Sequence, residues 1–190
     1  MIVLLDAGSS KTKFIQEICE HYYPCKTIGL HDSTENDILN AEGIIISGAP
    51  ILLSEVDPEP YLQKVKWLDD YKLPVLGICF GHQLTGLHFG ASISRQREDR
   101  GKQEIAVLRH NPLFEDLDTQ FTMQEDHCEA ISIPPGFEHN ATSDSCVNEG
   151  MHHKNRPIFG VQFHPEVSGE NGMIFLHNFT KLVALYKDKK

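Results

Sequence analysis

At 190 residues the chain fits one domain, 1–190, with a sizeable single core. Its 40% hydrophobic and 23% charged residues suit a soluble globular protein, with no apolar run of membrane-spanning length and no signal-peptide pattern. A formal net charge of −10 argues against non-specific binding to nucleic acid or anionic membrane, and five cysteines without scaffold spacing fit a reducing, cytoplasmic compartment.

Ile2 to Leu5 is wholly apolar, as expected of a strand buried on both faces. It ends in the turn-prone Asp6-Ala7-Gly8-Ser9-Ser10, where Ser9 or Ser10 could cap a helix with Phe14, Ile15 and Ile18 on its apolar face. A short strand is expected around Lys26 to Ile28, then a brief helix capped by Ser33 or Thr34 and containing Ile38 and Leu39. Gly43-Ile44-Ile45-Ile46-Ser47 is a third buried strand, closed by Gly48-Ala49-Pro50. A loop to Pro60 leads into a helix bearing Tyr61, Val65 and Leu68.

Leu73-Pro74-Val75-Leu76-Gly77-Ile78-Cys79-Phe80-Gly81-His82-Gln83 comes next. Here an apolar strand breaks at Cys79, flanked two residues away on each side by glycine, and a helical pattern with Leu84 and Leu87 follows at once. Strand, sharp turn and helix lift a nucleophile above the end of a parallel sheet, and the strained turn demands small neighbours. The helix start aims unpaired N–H groups at the thiolate. So far the pattern is β-α repeated, which predicts a doubly wound, mostly parallel α/β sheet with helices on both faces.

After Gly90 the pattern changes. Ile105 to Leu108, Phe121 to Met123, Ala130 to Ile133 and Ala141-Thr142 suggest short strands of a small antiparallel excursion. The chain is expected to rejoin the main sheet at Ile158 to Phe163. That strand leads into His164-Pro165-Glu166, about 85 residues after Cys79, a separation suited to the distant histidine partner of a thiol nucleophile. Residues i and i+2 of an extended chain face the same way, so Glu166 can hold the His164 tautomer and stabilise the imidazolium. Cys79 as nucleophile, His164 as base and Glu166 as orienter make a complete triad. A last helix, Gly172 to Tyr186, carries Ile174, Phe175, Phe179, Leu182 and Val183 on its apolar face, before a frayed basic tail from Lys187 to Lys190.

Gly77-Ile78-Cys79-Phe80-Gly81-His82-Gln83 together with Val161-Gln162-Phe163-His164-Pro165-Glu166-Val167 resembles the class I (triad) glutamine amidotransferases, over nearly the whole chain. The resemblance implies their flavodoxin-like α/β fold, hydrolysis of the side-chain amide of L-glutamine, and no cofactor. Ser47-Gly48-Ala49-Pro50 looks like the family's oxyanion loop, so the backbone amides of Ala49 and Phe80 would face the developing charge, beside Gly48. Should that loop require positive φ at position 49, Ala49 would be strained. Gln83 would be the substrate contact. The stand-alone length and His153-Lys154-Asn155-Arg156-Pro157-Ile158-Phe159-Gly160 lean toward the subgroup that serves GMP synthases. That implies a separate ATP-dependent synthetase partner, aminating xanthosine 5′-phosphate. The chain departs from this subgroup where its Ser-His-x-Asp slots hold Glu125, Asp126, His127 and Cys128.

Two other readings stay open: a stand-alone γ-glutamyl thiol hydrolase or peptidase on the same scaffold, and a non-catalytic binding module. His127, Cys128, Cys146, His152 and His153 match no standard zinc spacing, so no metal is expected. His82 and His88 read as packing or surface residues, and Cys19 and Cys25 as structural.

Overall fold

The computed structural model describes residues 1–188. Nine strands form one sheet, and five of them are its parallel half: β1 (Ile2–Asp6), β2 (Cys25–Gly29), β3 (Gly43–Ile46), β4 (Val75–Ile78) and β11 (Ile158–Val161), in the order β2-β1-β3-β4-β11. Every residue of β3, β4 and β11 is buried, as their unbroken apolar runs require. The alternation of a strand sends Ile2, Leu4, Ile45, Leu76 and Ile78 into one core and Val3, Leu5, Ile44, Ile46 and Val75 into the other.

Helices cover both faces. On one lie α1 (Thr12–Tyr22) and α5 (Glu170–Lys187), the latter burying Phe175, Phe179, Leu182 and Val183. Phe175 and Phe179 are fully buried, so truncating either to Ala should cost about 3–5 kcal/mol. On the other lie α2 (Glu35–Leu39), α3 (Glu59–Lys64) and α4 (Phe80–His88), and a 3-10 turn over Lys66–Asp69 inserts Leu68. Thr34 caps α2 with a full capping box through Asp37, as its position suggested. Neither Ser9 nor Ser10 caps α1: its N-cap is Lys11, and Ser9 Oγ instead accepts the Lys11 N–H in the preceding turn.

The antiparallel excursion is larger than its apolar residues suggested, and it extends the main sheet. Strands β10 (Gly150–His153), β9 (Phe137–Thr142), β6 (Lys102–Val107) and β7 (Gln120–Gln124) continue outward from β11, every pairing antiparallel. A separate ribbon pairs β5 (Ile93–Asp99) with β8 (His127–Ile131). Strand β5 escapes notice in the sequence because six of its seven residues are not buried. The expected frayed tail is also corrected: α5 continues through Lys187, whose Nζ lies 3.0 Å from Glu42 Oε1. Lys189 and Lys190 fall outside the described residues.

Candidate active site

Strand β4 sits between β3 and β11 and delivers Cys79 at the carboxyl edge of the sheet. Cys79 has φ 51° and ψ −106°, a left-handed conformation that costs a non-glycine residue about 1–3 kcal/mol. Hydrogen bonds hold it there: Cys79 N–H donates to Val161 O at 2.8 Å, and Gln83 N–H donates to Cys79 O at 3.0 Å. A Cβ on Gly77 would lie 2.4 Å from Gly81 O, and one on Gly81 would lie 2.2 Å from Ile46 O. Both contacts are with backbone that cannot move aside, so the two glycines flanking the nucleophile are required by space. Cys79 is the N-cap of α4, which leaves the amide of Phe80 in the first turn without an intrahelical acceptor.

From β11 the chain reaches His164, whose N–H donates to Gln124 O at 2.8 Å. The segment Pro165–Val167 is a 3-10 turn, so His164 and Glu166 are not consecutive same-facing residues of an extended strand. Pro165 starts that turn, with its ring restricting φ to helical values, and the turn curls the carboxylate back. Glu166 Oε1 accepts from His164 Nδ1 at 2.7 Å, with both side chains at least 97% buried. The remaining nitrogen, Nε2, is thereby left for Cys79. Burial alone would depress the His164 pKa, but hydrogen bonding to Cys79 and to Glu166 outweighs it and lifts the value to about 10. The stable form of the pair is therefore an imidazolium beside a thiolate.

The loop after β3 closes over this pair. A Cβ on Gly48 would sit 3.1 Å from His164 Cε1 and 3.8 Å from Cys79 Cβ, so glycine here leaves room for the catalytic imidazole. Ser47 Oγ accepts from Ala7 N–H at 2.9 Å and donates to Gly48 O at 2.9 Å, fixing the loop to the end of β1. Among the described non-glycine residues only Cys79 and Asp116 have positive φ, so Ala49 bears none of the strain that its substitution for glycine could have carried.

A cavity of about 610 Å³ opens over Cys79 and His164, lined also by Ala49, Phe80 and Gln83. Its mouth is charged by Lys11, Arg95, Glu98, Arg100 and Asp126. Lys11 Nζ reaches Asp126 Oδ2 at 2.5 Å, joining the loop after β1 to the turn before β8. Asp126 O also accepts a long 3.9 Å contact from Cys79 Sγ.

Three functional residues escape a reading of motifs. Gln162 Nε2 donates to Cys79 Sγ at 3.5 Å, and Gln83 Nε2 donates to Gln162 Oε1 at 3.0 Å and to Glu129 O at 3.2 Å. Glu129, also buried, accepts the amides of Leu53 at 2.9 Å and Ser54 at 2.7 Å. For Gln162 a signal existed: it lies two residues before His164 and so shares its face. Glu129 and Lys11 carried no such signal, because their partners are distant in sequence.

The remaining histidines and cysteines disperse, with one exception. His82 is fully buried, and burial drives its pKa down to about 3. His88 pairs with Asp69 at 2.8 Å, His152 with Asn140 at 2.9 Å, and His153 packs against Phe137 and Phe89. Cys19 and Cys25 are buried free thiols whose pKa values burial raises. The exception is His127 and Cys146, which the fold brings together with Glu149.

Comparison with known proteins agrees with this geometry. A family model described as glutamine amidotransferase class-I matches residues 3–182. The chain is 35% identical over 187 residues to the glutamine-hydrolyzing subunit of GMP synthase from Pyrococcus abyssi, covering 96% of this chain and 98% of that one. It is 37% identical over 188 residues to the protein of the same name from Thermococcus kodakarensis, covering 96% and 98%. Among solved structures, a GMP synthase subunit from Thermoplasma acidophilum superposes with a TM-score of 0.90 at 30% identity, over 99% of this chain and 96% of that one. A strained cysteine elbow, a His–Glu pair on the neighbouring strand and a match of this extent lead to one conclusion: the chain belongs to the class-I glutamine amidotransferase family.

Proposed function

We infer that the protein hydrolyses the side-chain amide of L-glutamine and delivers the ammonia to a separate ATP-dependent synthetase, one that aminates xanthosine 5′-phosphate to GMP. The observation that carries the reading is the alignment of Cys79, His164 and Glu166, with the Glu166 carboxylate 2.7 Å from His164 Nδ1 and the imidazolium held to about pH 10. The Cys79 thiolate attacks the amide carbon, and the charge growing on the amide oxygen meets the Ala49 and Phe80 backbone amides. His164 gives its proton to the departing nitrogen, which leaves as ammonia. His164, now neutral, takes a proton from water as that water attacks the γ-glutamyl thioester, releasing glutamate and restoring the ion pair.

Gln83 lines the cavity as the side chain assigned to the substrate, and the charged mouth suits the α-amino and α-carboxylate groups of an amino acid. The synthetase assignment rests on the relatives' name, which makes them the glutamine-hydrolyzing part of GMP synthase, and on the chain matching nearly their full length. The whole chain then works as one glutaminase domain. Five free cysteines fit a reducing, cytoplasmic setting.

The test is steady-state glutamine hydrolysis with and without a synthetase that lacks its own glutaminase domain, loaded with ATP and xanthosine 5′-phosphate. Hydrolysis accelerated by the loaded synthetase, with GMP formed from glutamine, is the expected result. Full activity alone, unchanged by the synthetase and extending to bulky γ-glutamyl amides, would instead establish a stand-alone γ-glutamyl hydrolase.

A further inference from the structure

Behind the wall of the catalytic cavity the fold buries a second group of reactive side chains. Glu125 and His127 come from the turn into β8 and its first residue, and Cys146 and Glu149 from the connection between β9 and β10. Their relative exposures are 0%, 7%, 4% and 0%. One donor atom each from His127, Cys146 and Glu149 lie within 4.8 Å of one another. Glu125 Oε2 lies 3.4 Å from His127 Nε2.

The surroundings orient these atoms as ligands are oriented. His127 Nδ1 faces Glu129 O at 3.0 Å, and a carbonyl can only accept, so Nδ1 carries the proton and Nε2 presents a lone pair to the cluster. Glu149 Oε1 accepts from Ser143 Oγ at 2.6 Å, which steadies the carboxylate. Four buried atoms aimed at the centre have no hydrogen-bond partner: His127 Nε2, both oxygens of Glu125 and Glu149 Oε2. Unsatisfied buried polar atoms cost about 1–3 kcal/mol each, more for charged groups, so four around one point call for a shared partner.

Two occupants could supply it. A proton shared between Glu125 and Glu149 would neutralise one carboxylate, and burial does push both carboxyl pKa values up, Glu125 further because the Glu149 charge adds to the effect. A proton leaves His127 Nε2 and Cys146 Sγ unused. A cation engages all four groups at once, and no lysine or arginine among the described residues pairs with either carboxylate. Imidazole, thiolate and two carboxylates form a mixed N, S, O set that suits a borderline d-block ion and not Ca²⁺ or Mg²⁺.

We propose that His127, Cys146, Glu149 and Glu125 bind one divalent d-block cation of the zinc class in a closed structural site. Coordination displaces the Cys146 thiol proton, and any proton held between the carboxyls, to solvent. Entry is available from two sides: the catalytic cavity reaches His127, and a second cavity of about 290 Å³ reaches Cys146. The ion would pin the segment that lines the active site. Gln124 O accepts the His164 N–H, Asp126 O faces Cys79 Sγ, and Glu149 O accepts the Gln162 N–H at 3.0 Å. The site draws two ligands from each of two hairpins, which is why no sequence spacing announces it.

The experiment is a Co²⁺ titration of the full chain, followed by absorption spectroscopy. It is done in a Cys79→Ala background so that the catalytic thiolate cannot contribute. A single equivalent should bind with a thiolate-to-cobalt charge-transfer band and the intense visible bands of tetrahedral cobalt, and Zn²⁺ should displace it. Adding Cys146→Ser should abolish the charge-transfer band, and Glu149→Gln should weaken binding at least about tenfold, with folding of each checked by circular dichroism. Zn²⁺ should also raise the Tm of the parent chain and not of the Cys146→Ser variant. A folded parent that shows no charge-transfer band overturns the proposal and leaves the shared proton as the occupant. A band that survives in folded Cys146→Ser overturns it too, since the sulfur ligand would then lie elsewhere.

Discussion

Gln162 Nε2 donates to Cys79 Sγ at 3.5 Å, from a strand neighbouring the one that ends in the nucleophile. The direction of this bond is set by a chain of donors. Gln83 Nε2 must donate to Gln162 Oε1, because its other partner, Glu129 O, can only accept. Gln162 therefore turns its N–H toward sulfur. A hydrogen bond to a charged group is worth about 1.5–3 kcal/mol. Gln162→Leu should lower kcat/KM roughly 10- to 100-fold, and slow Cys79 alkylation by iodoacetamide at neutral pH. A rise in KM with kcat and alkylation unchanged would show that Gln162 serves the substrate and not the thiolate.

Glu166 and His164 should not be equivalent. His164 moves protons in both half-reactions, whereas Glu166 orients the ring and stabilises its charge. We expect His164→Ala to cost at least roughly a thousandfold in kcat and Glu166→Gln roughly 10- to 100-fold. The pH profile gives a sharper check. The active pair needs a protonated His164, which persists to about pH 10, so the alkaline limb of kcat/KM should lie near that pH. Glu166 raises that pKa, so Glu166→Gln should shift the limb toward neutrality. An unmoved limb would mean the carboxylate acts only by holding the ring in place.

Cysteine labelling separates nucleophile from bystanders. A glutamine-like electrophile should label Cys79 alone, and Cys79→Ala should abolish hydrolysis. Cys19, Cys25 and Cys146 are buried and their pKa values are raised by that burial, so at neutral pH they remain thiols. Cys128 is the partly exposed alternative, and mass-spectrometric mapping that finds it labelled as fast as Cys79 would contradict the single-nucleophile reading.

His82 should make the protein acid-sensitive. Burial, with a smaller repulsion from His127, takes its pKa from 6.5 down to about 3 in the folded state. A depressed folded value means the unfolded chain binds the proton more readily. The stabilisation is therefore complete above about pH 6.5 and is lost as pH falls toward 3. The loss is about 1.4 kcal/mol for each pH unit in that window. Tm measured between pH 7 and 4 should fall accordingly, and His82→Gln should flatten the slope. The same slope in the variant would place the acid sensitivity elsewhere.

The chain's own order of residues determined the parallel half of the sheet and the catalytic elbow. Unbroken apolar runs such as Ile44-Ile45-Ile46 can be buried only between two layers, and a cysteine between two glycines two residues away has few uses other than a strained turn. These are local properties, set by side-chain size and backbone sterics within a few residues. Tertiary structure alone decided what depends on distant partners. Strand β5 has no apolar alternation and exists because β8 pairs with it, and the short turn after Pro165, not an extended strand, sets the His164–Glu166 contact. Glu129 reaches Leu53 across 76 positions, and His127 meets Cys146 and Glu149 from another hairpin. Such contacts are made by packing of whole layers, and no spacing along the chain encodes them.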